Sequence, residues 1–239
     1  LAISVFAAGL VQLVALFPAL HGLGLLPKPR FDRAHEGVRR IARLMLPGIF
    51  GSSVAQVSLL LDTIIASFLM VGSVTWMYAA DRLVEFPMGV FAIALATVIL
   101  PGLSSHHAAE SREKFTATLD WALRLTITIV APAAVGLLML AGPLIATIFG
   151  YGAFSARDVL MCSYALMAYS MGLIGFSLVK VLAPGYFARQ DTKTPVKVGI
   201  IALSINMTFN VAVVVPAYLS GFPVPHALLA LSTGLSALI

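Results

Sequence analysis

Charged residues are scarce in this chain. Only 10% of its 239 residues are Asp, Glu, Lys or Arg, whereas 60% are hydrophobic and the mean hydropathy is +1.00. A soluble domain carries about 25% charged and about 45–50% apolar residues. The composition therefore excludes an ordinary soluble domain and indicates an integral membrane protein.

Cysteine and recognisable catalytic motifs are also scarce. Cys162 is the only cysteine, so no intramolecular disulfide can form, and no Cys or His partner stands near it at metal-ligand spacing. The sequence has no Gly-rich phosphate loop, no HExxH motif and no strand pattern that could carry a nucleophile elbow. These absences favour a protein that is not an enzyme and has no resident cofactor, with Cys162 as a packing residue.

The net charge of +5 raises nucleic acid as a partner. Lysine and arginine, however, gather in a few connecting segments instead of forming one basic face interleaved with aromatic side chains. We therefore expect no nucleic-acid partner and attribute the charge to membrane topology.

Long hydrophobic runs are what the sequence does contain. A transmembrane helix needs about 20 mainly apolar residues. This rule predicts a truncated span at 1–20, five complete spans, and a second truncated span that starts near 224. The complete spans are predicted near 45–71, 74–101, 121–149, 160–184 and 195–217. The predicted fold is all-α, a polytopic bundle of transmembrane helices.

The chain starts with Leu1, has no basic segment before a short apolar stretch, and ends inside an apolar run. We expect it to be an internal piece of a longer polytopic protein. The basic residues fall in three segments, 27–44, 102–120 and 185–197, whereas the intervening connections hold only Arg157. The positive-inside rule places the three basic segments in the cytoplasm.

The first basic segment, 27–44, makes up most of a predicted connector at 21–44. Apolar residues recur there at helical spacing, and basic residues occupy other faces, which favours an interfacial amphipathic helix that connects two halves of a transporter. The alternative is an ordinary basic loop. The predicted organisation is thus a truncated span at 1–20, a connector at 21–44 and a bundle at 45–239.

Three ionisable residues, Asp81, Arg82 and Glu85, lie inside the apolar run 74–100. A charge near the bilayer centre costs about 2.5–3.5 kcal/mol, and such residues usually face a bundle interior or a wet cavity. Arg82 lies about 12 Å below the outer end of its span. A guanidinium at this depth can bind phosphate with two hydrogen bonds. The alternative is a buried salt-bridge network that only locks helix packing.

Pro87 follows this cluster and removes a backbone donor from the helix. We expect a kink in the helix beside the charges. Such irregular backbone is typical of a cavity wall, where water or neighbouring groups satisfy the freed carbonyl.

A second set of polar residues lies at membrane depth in two other spans. Asp62 lies about 25 Å from the inner end of its span, and Asn206 and Asn210 lie about 16 and 22 Å from the inner end of theirs. One carboxylate with amide oxygens suits a hard cation such as sodium. The alternative is hydrogen bonding between packed helices.

Other polar and aromatic residues give weaker signals. Trp76 and Trp121 lie near span ends and are predicted to be membrane-interface anchors. His106 and His107 are predicted to be solvated in a cytoplasmic loop. Their spacing in the sequence gives them no supporting ligands.

Three stretches carry a resemblance to a known family. WMYAADRLVEFPMGVFAIALATVILPGLS resembles the eighth span of the MurJ (MviN) family of bacterial lipid II flippases, and IFGSSVAQVSLLLDTIIASFL resembles its seventh. GLIGFSLVKVLAPGYFARQDTKTPVKVGI is similar to the tenth span, the loop after it and the start of the eleventh. The resemblance implies the multidrug/oligosaccharidyl-lipid/polysaccharide exporter superfamily, with two inverted-repeat lobes. This chain would be mainly the second lobe of such a MurJ/MATE-like transporter, from the end of the sixth span to part of the twelfth.

The resemblance also implies roles for individual residues. Arg82 would help to hold the pyrophosphate of lipid II, and Glu85, with Asp81 beside it, would position or neutralise that arginine. Asp62 would match the acidic residue of a sodium site between the seventh and eleventh spans. The pairing of Asp62 with Asn206 and Asn210 rests on their depth alone, and a proton gradient is an alternative to sodium.

The implied function is transfer of lipid II from the inner to the outer leaflet of the bacterial cytoplasmic membrane, in support of cell wall synthesis. Its partners would be lipid II, membrane lipids and the first lobe of the same full-length protein, which would complete the substrate site. Two alternatives remain open. One is a related exporter of cationic drugs or of another polyprenyl-linked glycan, and the other is a membrane scaffold that does not transport.

Overall fold

The computed structural model describes residues 2–22 and 36–238. Every regular element in these residues is helical, which confirms the predicted fold class. The helices are α1 (Ala2–Gly22), α2 (Glu36–Phe68), α3 (Ser73–Pro87), α4 (Ala94–Ala108), α5 (Arg112–Met139), α6 (Ala141–Phe149), α7 (Ala156–Ala188), α8 (Lys193–Phe209), α9 (Val215–Leu219) and α10 (Pro225–Ser236).

Two short π-helical segments join pairs of these helices into longer ones. Met88–Ile93 joins α3 to α4, and Asn210–Val214 joins α8 to α9. A proline lies close to each segment: Pro87 directly precedes the first, and Pro216 lies two residues after the end of the second. Because a proline has no backbone N–H, the helix cannot keep its usual hydrogen bonds there, and a π turn is one way to continue. The π segment Met88–Ile93 lies directly after Pro87, where the sequence predicts a kink.

Among residues 2–22 and 36–238, five helical stretches are long and apolar enough to cross a membrane, judged by length and composition. They are Ser4–Gly22, Ser73–Ala108, Arg112–Met139, Ala156–Ala188 and Lys193–Leu219. These stretches overlap predicted spans, and the protein is a multi-pass membrane protein. A shorter apolar helix covers Ser53–Phe68, within the span predicted near 45–71.

Close backbone packing divides the chain into two units, residues 1–42 and 43–239. Most of the predicted connector, residues 23–35, lies outside the described residues. From Glu36 onward the chain is helical without a break as far as Phe68, so no helix boundary falls at the predicted end of the connector.

In the larger unit, α7 is the central helix and packs against α3, α4, α5, α6 and α10. Its buried face consists largely of Ala, Gly and Ser, which let neighbouring backbones approach. The closest approach is at Gly172, where an added Cβ would collide with the Cα of Gly234 on α10. This contact fixes the position of α10 against the centre of the bundle.

The bundle has two ends, which carry different connections. We call the end with residues 109–111 and 189–192 the basic end, and the end with 69–72, 150–155 and 220–224 the opposite end. At the basic end, Asp191 accepts hydrogen bonds from the Thr194 hydroxyl and from backbone N–H groups at the start of α8. The bonds from Thr194 are the main cause that holds the pKa of Asp191 below its ordinary value.

Trp76 ties three helices together at the opposite end. Its indole N–H donates to Asp158 Oδ1 on α7 at 2.8 Å, and its ring lies 5.0 Å from the ring of His226 on α10. Trp76 is only 3% exposed, so its prediction as a membrane-interface anchor is wrong, because hydrogen bonding draws the indole into the bundle. Trp121, by contrast, is an exposed aromatic residue on α5. Cys162 is fully buried and packs here, with its thiol donating to the Trp76 carbonyl.

Candidate functional site

The first candidate site is the charged cluster, which we define as Asp81, Arg82 and Glu85 on α3. Arg82 Nη1 lies 2.7 Å from Glu85 Oε2, as expected for residues three positions apart on a helix. The Arg82 side chain is 49% exposed and that of Glu85 44%, so the pair is open on one side of this chain. Arg82 therefore keeps donors free to bind a further anion.

An aromatic ring also orients Arg82. Its guanidinium carbon lies 4.8 Å from the centroid of the Tyr78 ring, one helical turn earlier. A guanidinium stacked on an aromatic face loses less freedom when it binds a planar or tetrahedral anion. Tyr78 is four residues before Arg82 in the sequence, and that spacing could have identified it.

Asp81 is less closely integrated than its neighbours. It is half-buried and interacts electrostatically with Glu85 and Arg82. Within the part of the chain that the structure describes, it forms no ion pair within 4.0 Å. Two of the three predicted residues thus pair directly, and the third lies next to them.

The second candidate site is the oxygen cluster, which we define as Asp62, Asn206, Asn210, Ser232 and Thr233. Asn210 Nδ2 donates to Asp62 Oδ1 and to Asn206 Oδ1, both at 3.0 Å. The three residues predicted from depth are therefore in contact, and they bring α2, α8 and the adjoining π segment together. All three are at most 6% exposed.

α10 completes this cluster with two residues that sequence reasoning missed. Ser232 Oγ donates to Asn210 Oδ1 at 2.6 Å and accepts from Asn206 Nδ2 at 3.0 Å. Thr233 Oγ1 donates to Asp62 Oδ2 at 3.2 Å. The available signal was a pair of adjacent hydroxyl residues inside an otherwise apolar run.

One contact in the oxygen cluster depends on the orientation of the Asn206 amide. Asn206 Oδ1 lies 3.1 Å from Asp62 Oδ1, so two acceptor oxygens face each other. Turning the Asn206 amide replaces that contact with a hydrogen bond, but its nitrogen then faces Asn210 Nδ2 at 3.0 Å, which sets two donors together. In each orientation one pair of like groups is in contact, two acceptors in the first and two donors in the second. A hard cation, which prefers carboxylate, amide and hydroxyl oxygens, fits this set of ligands.

Tyr169 of α7 interacts with a residue of each cluster. It is buried, and it interacts electrostatically with Asp62 and with Asp81. No motif in the sequence singled it out, because a lone tyrosine in an apolar span most often packs.

No group of three or more His, Cys, Asp or Glu side chains suited to a transition metal occurs among residues 2–22 and 36–238. The arrangement is thus two polar clusters at membrane depth. One presents a guanidinium outward, and the other gathers oxygen atoms around a buried carboxylate.

Comparisons with known proteins identify the family of this chain. The family described as "MurJ: Lipid II flippase MurJ" matches residues 1–239. A "Probable lipid II flippase MurJ" from Haemophilus influenzae is 49% identical over 224 residues, which covers 91% of this chain and 44% of that protein. A "Lipid II flippase MurJ" from Burkholderia cenocepacia is 42% identical over 241 residues and is covered to 45% of its length.

Two solved structures share the fold of this chain. A lipid II flippase MurJ in an inward closed conformation superposes with a TM-score of 0.72 at 26% identity, over 91% of this chain and 44% of that one. A multidrug resistance MATE family transporter in an outward-facing conformation superposes with a TM-score of 0.69 at 17% identity, over 82% of this chain and 42% of that one, which shows a shared fold.

The chain spans less than half the length of the relatives it matches. The family match covers residues 1–239 of this chain. The chain belongs to the MurJ lipid II flippase family.

Proposed function

We propose that the full-length protein to which this chain belongs flips lipid II from the inner to the outer leaflet of the bacterial cytoplasmic membrane. The observation that carries this proposal is the half-exposed guanidinium of Arg82, held at membrane depth by Glu85 and Tyr78. A pyrophosphate is the kind of ligand that such a guanidinium binds with paired, charge-assisted hydrogen bonds. Family membership supports lipid II as the bearer of that pyrophosphate.

The chain would supply the second of two lobes, with residues 45–239 forming its bundle. The basic end then lies in the cytoplasm, since lysine and arginine are retained on that side. Arg82 would face a cavity between this lobe and the first lobe, and rocking of the two lobes would expose that cavity to each leaflet in turn. The polyprenyl tail stays in lipid, and no covalent bond is made or broken.

The membrane potential would favour outward movement of the anionic head group of lipid II. An inside-negative potential assists outward movement of an anion by about 2.3 kcal/mol per charge per 100 mV. Glu85 accepts from Arg82 when no substrate is present, so the guanidinium is not left unpaired on the return step. Exchange between Glu85 and pyrophosphate would then accompany each cycle.

A flipping assay on the full-length protein in proteoliposomes tests this role. Arg82→Ala is expected to abolish lipid II translocation while leaving membrane insertion intact, because the anion loses its charged ligand at membrane depth. Arg124→Ala is the matched control, since Arg124 is an exposed arginine paired with Asp120 at 2.8 Å on α5. Full translocation by Arg82→Ala would exclude the substrate role and favour a scaffold.

We also propose that the oxygen cluster binds the coupling cation, either sodium or a proton. When bound, the cation would neutralise the buried Asp62 carboxylate. Asp62 and Thr233 would hold it from α2 and α10, and Asn206 would do so from α8. The helices would then pack with their acceptor oxygens no longer opposed.

Thermal unfolding of the full-length protein in sodium, potassium and choline chloride at equal ionic strength tests whether the oxygen cluster binds sodium. Sodium is expected to raise the midpoint selectively in the parent protein, and Asp62→Asn is expected to remove that response while the control Asp120→Asn keeps it. A response to pH alone that Asp62→Asn also removes identifies the proton. A sodium or pH response that survives in Asp62→Asn would exclude this site.

A further inference from the structure

A cleft at the basic end is separate from both clusters. It has a volume of about 320 Å³ and lies where the end of α4, the start of α5 and the end of α7 meet. Clefts that hold small ligands usually have volumes of about 300–1,000 Å³. The space is therefore large enough for a phosphate group with part of its parent molecule.

The walls of the cleft are mainly basic. Arg112 and Arg189 contribute guanidinium groups, His106 and His107 contribute imidazoles, and Glu110 is the one acidic residue among the lining side chains. With both histidines neutral, the lining carries a net charge of +1. In the described part of the chain the ion pairs are Arg82–Glu85 and Arg124–Asp120, so neither arginine of the cleft has an acidic partner there.

Aromatic packing holds the basic groups in place. The Arg189 guanidinium carbon lies 4.3 Å from the centroid of the Phe115 ring, and the His107 ring lies 6.5 Å from the same ring, edge to face. Phe115 is buried, so the ring on which both groups rest is fixed by the bundle. A guanidinium fixed in this way loses little freedom on binding an anion.

The start of α5 adds to the positive potential. Ser111 stands at the N-cap of this 28-residue helix, and its hydroxyl makes no capping bond. The first amides of a helix and its dipole favour negative charge. The helix end and the two guanidinium groups thus act on the same space.

The depth of the cleft limits where its ligand can come from. His106 and Arg189 each lie five residues beyond the predicted ends of their spans, which is about 8 Å along a helix. The headgroup layer on each side of the hydrocarbon core is about 5–8 Å thick. The cleft is therefore within reach of a lipid phosphate and of a soluble one.

We propose that this basic cleft binds the phosphate group of an anionic ligand. Arg112 and Arg189 are the charged ligands, and Phe115 is the positioning residue that holds Arg189. The site is distinct from the charged cluster and does not depend on lipid II transport. A basic pocket of this kind at the cytoplasmic end would make the transporter responsive to the anions around it.

Two binding experiments on the purified full-length protein test the proposal and separate the two sources. Both use the Arg82→Ala background, so that phosphate binding at Arg82 does not contribute. In the first, protein in phosphatidylcholine nanodiscs is titrated with inorganic phosphate against chloride of equal ionic strength, and the unfolding midpoint is followed. In the second, the nanodiscs contain phosphatidylglycerol, and no phosphate is added.

We expect stabilisation in at least one experiment, and that experiment identifies the source as a soluble phosphate or a lipid headgroup. Arg112→Gln and Arg189→Gln should each weaken binding by at least about tenfold, the usual effect of losing one charge-assisted hydrogen bond. Arg124→Gln, an exposed arginine outside the cleft, should bind as the parent does. Phe115→Leu should weaken binding less than Arg189→Gln. Absence of stabilisation in both experiments, or an equal loss in Arg124→Gln, would overturn the proposal.

Discussion

The charged cluster and the oxygen cluster both lie in predicted transmembrane spans, yet they differ in exposure. In the charged cluster, the pair formed by Arg82 and Glu85 is nearly half exposed and leaves donors unused. In the oxygen cluster, every predicted member is buried, and contacts between α2, α8 and α10 link the side chains to one another.

Burial explains the difference. A buried polar group without a partner costs about 1–3 kcal/mol, so the oxygen cluster can exist only because its members satisfy one another within this chain. The charged cluster is on an exposed face of this chain, so it can bind a ligand or another part of the protein. We therefore expect substitutions in the oxygen cluster to change stability, and substitutions in the charged cluster to change transport.

Asn210→Leu is expected to have the largest effect on stability. It removes the donor to Asp62 and the acceptor for Ser232, and it leaves both without that partner in the interior. The free energy of unfolding should fall by about 3 kcal/mol, since one lost bond involves a charged group. Denaturant unfolding of the full-length protein measures this free energy. A loss below that of Glu85→Gln would contradict the comparison between the clusters.

Gly172→Ala should have the next largest effect and acts on the oxygen cluster from a distance. The new Cβ collides with Gly234, so α10 must move, and Ser232 and Thr233 move with it. Overpacking of this kind costs about 1–3 kcal/mol. Gly136→Ala is the control, because a Cβ there meets nothing within 4 Å. The sodium or pH response should weaken in Gly172→Ala and persist in Gly136→Ala.

Glu85→Gln should separate stability from transport. The variant keeps the shape of the side chain and removes its charge, and the half-exposed pair contributes at most about 1 kcal/mol to stability. Flipping should nevertheless slow, since Arg82 then lacks its counter-ion on the return step. The measurement is the lipid II flipping rate together with the unfolding midpoint. A large fall in the midpoint with normal flipping would assign the pair to packing.

Arg124→Gln should have the smallest effect on stability and transport and is the reference for the other variants. Its guanidinium bonds to Asp120 at 2.8 Å, but the side chains are 79% and 56% exposed. Exposed pairs spaced by four residues contribute about 0.3–0.5 kcal/mol. The unfolding midpoint and the flipping rate should both stay close to those of the parent. A clear loss of either would mean that exposure in this chain is a poor guide to function.

Much of the fold could be predicted from the sequence, because a hydrophobic run of this length has few alternatives to a helix in a membrane. The described helices Ser73–Ala108 and Ala156–Ala188 contain the spans predicted at 74–101 and 160–184. The roles of individual aromatic residues did not follow. Trp76 has the position of an interface anchor, but a hydrogen-bond partner 82 residues away in the chain, Asp158, draws it into the interior.

The same limit applied to the candidate sites. Depth along a helix can be counted, so Asp62, Asn206 and Asn210 could be proposed as a set. Rotation about the helix axis could not be derived for separate helices, so their contact, and the participation of Ser232 and Thr233, needed the packed structure. The cleft at the basic end shows the same limit, because the Phe115 ring contacts both the His107 ring and the Arg189 guanidinium, which come from other parts of the chain.

The sequence alone determined that this protein is a helical membrane bundle, that Arg82 and Glu85 can pair, and that charges lie where lipid is expected. These features depend on composition and on the spacing of residues within one helix. Only the tertiary structure decided that the oxygen cluster closes, that Arg82 remains open, and that two arginines and two histidines share a cleft. Those features depend on the packing of separate helices, which brings together residues that are far apart in the chain.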